Sequence, residues 1–202
     1  MDREYSSLSA HSLKAGSNFV RPTLELPEKV ALNDPAVSVM TDLKCVSVVT
    51  VRAKTPMEKA HAKMVRYGVR TLLVLDETDK VLGFLTTTDI LGEKPMRFLQ
   101  HHGGTHADIL VRDIMTPQRE LEVLHLADIK NAKVGHLLAT LKAAGRQHAL
   151  VVEDNANGTQ AVRGIFSASQ IARQLGVNVH IAEVARTFAE IEAALADSHV
   201  LI

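Results

Sequence analysis

This sequence has one cysteine and few aromatic residues, and these shortages argue against disulfide bonds and against stacking on nucleic-acid bases. The one cysteine, Cys45, cannot form a disulfide within the chain, and the run from Val46 to Val51 after it favours a buried, unreactive thiol. Tryptophan is absent, and two tyrosines and five phenylalanines leave little for stacking on bases. Basic and acidic residues are equal in number, so the formal net charge is zero. We therefore expect no nucleic-acid partner.

Long apolar runs are also missing. No run approaches the length of a membrane span. The start of the chain, Met1 to Glu4, lacks the basic-then-apolar order of a signal peptide. A single cysteine fits a reducing compartment. We expect a cytoplasmic protein with no membrane partner.

Familiar catalytic motifs do not occur. The sequence has no Gly-x-Ser-x-Gly, no His-Glu-x-x-His and no phosphate-loop lysine. His101, His102 and His106 lie close together, but no further ligands at metal-site spacing accompany them. Their expected role is a solvated helix end, where cations are favourable. We predict no catalytic residues, no metal site and no required cofactor, and hence no enzyme.

The most informative stretch runs from Val81 to Leu91. It reads as a short strand, a polar turn and the start of a helix, with Thr86 and Asp89 on the first helical turn. Free backbone N–H groups at a helix start favour phosphate, and a carboxylate there can accept hydrogen bonds from sugar hydroxyls. Thr-x-x-Asp is also close to a capping box, which needs no ligand. Both interpretations remain open at this point.

This stretch ends a longer unit. Val46 to Val51 is rich in β-branched residues and predicts a strand. Thr55-Pro56 begins a helix that Gly68 ends. Thr71 to Leu75 and Val81 to Leu85 then predict a hairpin. The unit is strand, helix, strand, strand, helix.

The whole unit occurs twice. Met40-Thr41 recurs as Met115-Thr116, an offset of 115 − 40 = 75 residues. Gly68 recurs as Gly145, and the segment from Gly83 to Asp89 recurs as Gly164 to Gln170. A duplicated supersecondary unit predicts two tandem repeats.

We divide the chain accordingly. Residues 1–34 form an N-terminal arm, 35–106 the first repeat and 107–178 the second repeat. Residues 179–202 form a C-terminal amphipathic helix with an apolar stripe from Ile181 to Leu195. That stripe packs either on the core or on a second subunit.

These repeated motifs resemble a tandem pair of CBS domains, the module named after cystathionine beta-synthase. The resemblance covers roughly residues 36–177. It implies an α/β (α+β) fold in which two β-α-β-β-α repeats pack sheet to sheet with pseudo-two-fold symmetry. It also implies two clefts that bind AMP, ADP, ATP or S-adenosylmethionine, and assembly into a homodimer.

The same resemblance suggests roles for particular residues. In the first repeat, Asp89 would hold the ribose, Thr86 the phosphate and Thr50 the adenine, while Arg70 would add charge near the phosphate. In the second repeat, Ser167 keeps the hydroxyl but Gln170 replaces the acid. An amide carries no charge, and Ser-x-x-Gln is also a capping box. We therefore expect the second cleft to be weaker, empty or adapted to another ligand.

Two functions follow from the sequence. The first is a regulatory ligand sensor that binds an adenosyl ligand and signals by conformational change to a partner protein. The second is an interaction or dimerisation module with no physiological nucleotide, in which the boxes at Thr86 and Ser167 serve only as helix caps.

Overall fold

The computed structural model describes Lys14 and residues 26–156 and 158–176. Most of the arm predicted for residues 1–34 lies outside these ranges. The helix predicted for residues 179–202 lies wholly outside them, together with the homodimer contact expected of its apolar stripe. None of the helices in the described ranges is long and apolar enough to cross a membrane.

Strands and α-helices alternate along both repeats. The strands are β1 Thr41–Asp42, β2 Thr50–Arg52, β3 Thr71–Leu75, β4 Val81–Thr86, β5 Thr116–Pro117, β6 Val123–His125, β7 His148–Asp154 and β8 Gln160–Ser167. The helices are α1 Met57–Tyr67, α2 Thr87–Leu91, α3 Lys94–His102, α4 Val111–Ile114, α5 Leu126–Ile129, α6 Val134–Ala143 and α7 Ala168–Gln174. Short 3-10 helices span Ala36–Val39, His106–Asp108 and Gln118–Glu120.

The strands form two four-stranded sheets. One sheet has the order β2-β3-β4-β5 and the other the order β1-β8-β7-β6. In each sheet the helix-crossing pair, β2 with β3 or β6 with β7, is parallel, and the remaining pairs are antiparallel. A helix connects the two strands of each parallel pair, because parallel neighbours need a crossover connection. This is the predicted β-α-β-β-α order, once in each repeat.

Side chains of the central strands alternate between two environments. Leu72, Val74 and Leu85 pack against helices in one core, while Leu73 and Phe84 point to the opposite face. There they meet Leu150 of the second repeat in a core that lies between the two sheets. The predicted sheet-to-sheet packing, and with it the predicted fold class, is confirmed.

Each repeat lends its opening segment to the other. β1 pairs with β8 of the second repeat, and β5 pairs with β4 of the first repeat. Ala36, Val39 and Met40 are buried in the helical core of the second repeat, and Ile114 is buried in that of the first. The two repeats are therefore interlocked at both ends of a pseudo-two-fold arrangement.

The exchange explains why Met-Thr and Gly recur together. An ideal Cβ on Gly83 would lie 2.5 Å from the carbonyl oxygen of Thr116 and 2.9 Å from the sulfur of Met115. At the equivalent point of the other sheet, a Cβ on Gly164 would lie 2.5 Å from the sulfur of Met40. Glycine leaves room for the backbone of the incoming strand at position 83 and for the side chain of Met40 at position 164.

Two local predictions differ from the structure. The first strand of the unit is Thr50–Arg52 rather than Val46 to Val51, because residues 46–49 run alongside a cleft before β2 meets β3. Cys45 is exposed rather than buried, because it lies in the turn that follows β1, where its N–H donates to the carbonyl of Asp42. Gly68, by contrast, ends α1 in the left-handed conformation, as predicted (φ 63°).

We predict that Gly83→Ala lowers the free energy of unfolding by roughly 1–3 kcal/mol, because the new methyl group meets backbone that cannot rotate away. Gly164→Ala should cost less, since the obstructing atoms belong to the flexible side chain of Met40. Denaturant unfolding measures both effects.

Gly135→Ala is the matched control for these variants. A Cβ at that helical position finds its nearest atom, the carbonyl oxygen of Leu32, at 3.4 Å, an ordinary contact. This variant should keep wild-type stability or gain slightly, since alanine favours helix. Equal stability of Gly83→Ala and the wild type would contradict the role given to Gly83.

Candidate functional site

Two clefts open between the repeats, and they occupy equivalent positions in the pseudo-two-fold arrangement. In each, one wall is the strand-to-helix turn of one repeat, and the other wall is formed by the chain leading into two strands of the other repeat. Cleft A, of about 590 Å³, is lined by Thr41, Leu43, 46–49, 68–71, His148, Ile165, Ser167, Gln170 and Arg173. Cleft B, of about 410 Å³, is lined by Phe84, Thr86, Thr88, Asp89, Thr116, 120–122, 145–148 and Leu150.

Thr86 and Asp89 lie on the wall of cleft B and form a complete capping box. One carboxylate oxygen of Asp89, Oδ2, accepts from the backbone N–H of Thr86 at 2.7 Å and from its hydroxyl at 2.8 Å. In return, the N–H of Asp89 donates to the hydroxyl of Thr86 at 3.2 Å. Asp89 is only 8% exposed. A buried carboxylate at a cleft wall is therefore held in a fixed orientation by its own helix start.

Lys94 engages the other oxygen of Asp89. Its Nζ lies 2.6 Å from Oδ1 of Asp89 and 3.3 Å from the hydroxyl of Thr116, which also lines cleft B. This contact was missed at the sequence level, because it depends on how α3 turns back after Gly92 toward a strand of the other repeat. The side chain of Lys94 is 43% exposed, so a partly solvated cation lies beside a buried carboxylate.

The same box geometry occurs once more, away from both clefts. Oδ2 of Asp108 accepts from the backbone N–H and the hydroxyl of Thr105, each at 2.8 Å. These hydrogen bonds lower the pKa of Asp108 from its usual value, the backbone bond contributing most. Asp108 is exposed. The box alone is thus a helix cap, and burial in a cleft is what distinguishes Asp89.

Cleft A contains two guanidinium groups. Arg70 donates to the hydroxyl of Ser169, and burial, followed by the nearby charge of Arg173, lowers the pKa of Arg70 from its usual value. Arginine remains protonated despite such a shift. Among the described residues that line cleft A, none is acidic. The cleft therefore has an excess of positive charge.

The second strand-to-helix turn differs from the first. The hydroxyl of Ser167 lies 3.0 Å from that of Ser169 and does not cap α7, so the capping box predicted for Ser167 and Gln170 is wrong. The hydroxyl is instead held beside Ser169 and, through it, Arg70. The Nε2 of Gln170 is buried and has no hydrogen-bond partner among the described residues. Gln170 lines cleft A, but this nitrogen is not accessible from it.

The structure regroups the residues suggested for the first site. Arg70 lines cleft A together with Ser167 and Gln170, whereas Thr86 and Asp89 line cleft B. The reason is that each cleft takes its strand-to-helix turn from one repeat and its strand entrances from the other. Thr50 is not among the described residues that line either cleft. It lies in β2, where it pairs with Leu73 of β3.

His148 lies between the clefts. It lines both of them, as well as a hollow of about 290 Å³ between Arg70 and Thr88. Its ring meets that of Phe84 edge-on, with 6.1 Å between centroids. Burial, helped by Arg70 and opposed by Asp89, lowers the pKa of His148 to about 4. Its imidazole is therefore neutral at pH 7.

Metal ligands do not converge in the described part of the chain. It contains no group of three or more histidine, cysteine, aspartate or glutamate side chains suited to a metal ion. His101 and His102 each place Nδ1 against a backbone carbonyl of α3, at 2.7 and 3.2 Å. Both histidines lie in the last turn of α3, as their sequence position indicates.

Comparison with known proteins gives a family for the first repeat. The model of the CBS domain family matches residues 36–95. No match to the sequence emerged among curated proteins. A solved structure of an uncharacterized conserved protein from Pyrococcus horikoshii is 24% identical, with a TM-score of 0.52, over 76% of this chain and 100% of that chain. This likeness agrees with the fold described above.

More distant structures belong to CBS-pair proteins. CBSX2 of Arabidopsis thaliana, crystallised in complex with AMP, is 21% identical over 69% of this chain and 94% of its own, with a TM-score of 0.49. The CBS domain pair of protein MJ0100, solved with 5-methylthioadenosine and S-adenosyl-L-methionine, is 16% identical over 68% of this chain and 96% of its own, with a TM-score of 0.46.

The lowered pKa of His148 predicts a pH-dependent stability. Between the folded pKa of about 4 and the unfolded value of 6.5, the unfolded chain binds the extra proton, so acidification through this window lowers the free energy of unfolding. His148→Gln removes this group and should flatten the dependence. Urea unfolding from pH 7 to pH 4.5 measures the slope. Identical slopes for the variant and the wild type would contradict this account.

Proposed function

We propose that this tandem CBS-domain protein is a regulatory module that binds an adenine nucleotide or another adenosyl ligand and signals to a partner protein through a change of conformation. AMP, ADP, ATP and S-adenosylmethionine are the candidate ligands. The proposal is a binding protein rather than an enzyme, acting in the cytoplasm as a homodimer. No cofactor is required for this role.

The observation that carries the proposal is the position of Asp89 in cleft B. Its carboxylate is buried at the wall of a hollow whose volume falls in the range of small-molecule sites. Thr86 and Thr116 add hydroxyl groups to the same wall. Carboxylate and hydroxyl groups at this spacing suit a ribose and its 5′ substituent.

Lys94 supplies a route from binding to conformational change. A sugar hydroxyl that donates to Oδ1 of Asp89 takes the place of the Lys94 ammonium, which is then available to a phosphate. Lys94 is the first residue of α3, and its second contact, to Thr116, joins that helix to a strand of the other repeat. A ligand that prefers the released state shifts the population toward it.

The second candidate function is an interaction module without a nucleotide. One observation favours it: both oxygens of Asp89 already have partners, and the same box at Asp108 serves as a helix cap with no cleft beside it. In this case the box at Asp89 stabilises α2, and cleft B is a by-product of sheet packing.

We predict that AMP binds the purified protein and that Asp89→Asn weakens this binding roughly ten- to hundredfold, the usual effect of losing hydrogen bonds to a charged group. Isothermal titration calorimetry measures it. Asp108→Asn is the matched control, because it alters the same type of box at an exposed position. It should bind AMP like the wild type.

Three outcomes separate the candidates. Loss of AMP binding in Asp89→Asn alone supports the sensor. Absence of binding to AMP, ADP, ATP and S-adenosylmethionine in the wild type supports the interaction module. Equal loss in both variants indicates that the helix cap, and not the cleft, determines affinity; thermal unfolding of the two variants shows whether their caps were weakened alike.

The proposed homodimer has its own test. Phe188 lies in the apolar stripe predicted for the C-terminal helix. If the stripe packs on a second subunit, Phe188→Asp should yield a monomer in sedimentation equilibrium without unfolding the protein. If it packs on the core, the same change should instead lower the unfolding temperature and leave the oligomeric state unaltered.

A further inference from the structure

We infer that the two clefts select ligands by charge: cleft A takes the polyphosphate chain of ATP or ADP, and cleft B takes adenosyl ligands with at most one phosphate. This inference rests on the proposed function and assigns a ligand class to each cleft. The sequence predicts that the second cleft is weaker, empty or adapted to another ligand, and the inference favours the last of these.

The charges of cleft A are not compensated. Arg70 and Arg173 both line it, and the charge of Arg173 adds to burial in lowering the pKa of Arg70. In the described part of the chain no carboxylate pairs with either guanidinium. Two like charges at one partly buried site are unfavourable, and a polyanion relieves that repulsion.

Polar groups beside these charges are also poised for an anion. Ser169 is 5% exposed, and its hydroxyl accepts from Arg70. Gln170 lines the same cleft and carries no charge. A carboxylate at position 170 would repel phosphate oxygens, whereas the neutral amide does not. The replacement of acid by amide therefore suits this cleft to phosphate.

The charges of cleft B are balanced by contrast. Each of its three acids lies beside a cation: Asp89 with Lys94 at 2.6 Å, Glu120 with Arg119 at 3.3 Å and Glu122 with Arg146 at 3.3 Å. A polyphosphate entering this cleft would meet three carboxylates and no surplus positive charge. Release of the single ammonium of Lys94 suffices for one phosphate and not for three.

The experiment compares AMP, ATP and inorganic tripolyphosphate as calorimetric probes on the full chain. Arg173→Gln is the principal variant, because Arg173 is exposed and its loss leaves packing intact. Arg97→Gln removes an exposed guanidinium group on α3 that pairs with Glu93 and lines neither cleft, and it serves as the control.

We expect Arg173→Gln to weaken the binding of ATP and tripolyphosphate at least tenfold and the binding of AMP less than threefold. Arg97→Gln should leave all three affinities unchanged. Asp89→Asn should show the opposite pattern, weakening AMP and sparing tripolyphosphate. Raising the salt concentration should weaken ATP more than AMP, because screening acts on the larger charge. Equal responses of ATP and AMP to Arg173→Gln, or none, would overturn the inference.

Failure of the proposed function gives a different result. If AMP does not bind but tripolyphosphate binds and responds to Arg173→Gln, the anion site in cleft A stands and adenosyl recognition falls. If AMP and ATP both bind and Arg173→Gln changes neither affinity, the proposed binding module is supported and the selection of ligands by charge is contradicted. If tripolyphosphate does not bind at all, cleft A is not a polyphosphate site.

Discussion

The close approach of two exchanged strands is the constraint on which the rest of the structure depends. β5 passes Gly83 and β1 passes Gly164 so closely that a single Cβ would collide with the incoming strand or its methionine. Each exchange carries apolar residues into the opposite helical core, so neither repeat completes its core alone. The exchange also places Thr41 at cleft A and Thr116 at cleft B. Stability and site construction therefore arise from the same contact.

Because every cleft draws on both repeats, the two clefts need not stay alike. Cleft A combines the turn after β8 with the entrance to β3, where Arg70 lies, and cleft B combines the turn after β4 with the entrance to β7, where Arg146 is paired with Glu122. His148 belongs to both and lies between the opposing charges of Arg70 and Asp89. A ligand that neutralises Arg70 or Asp89 in one cleft therefore changes the electrostatic surroundings of the His148 imidazole, which also lines the other cleft.

Sequence reasoning succeeded where structure is local. Gly68 ends α1, Thr71–Leu75 is a strand, and Thr86 with Asp89 forms a box, because each feature depends on residues a few positions apart. The duplication then predicted the fold class. Three features were not predicted. The exposure of Cys45 comes from the turn after β1, and the pairing of Lys94 with Asp89 comes from the way α3 turns back after Gly92. The placement of Arg70 beside Ser169 depends on a contact between the two repeats. The sequence offsets between repeated motifs show that the two units are alike. They do not show which residues of one unit contact the other.

The two Thr-x-x-Asp boxes show why a motif does not define a site. In both, the carboxylate accepts from the backbone N–H and the hydroxyl of the threonine, at nearly equal distances. Asp108 meets solvent, where a sugar hydroxyl competes with water for the same oxygen. Asp89 is buried beside a cleft, where the effective dielectric constant is lower and each hydrogen bond to the carboxylate is worth more. Under the proposed function, the interlocked sheets around the box supply the buried setting, and the box supplies only the orientation of the carboxylate.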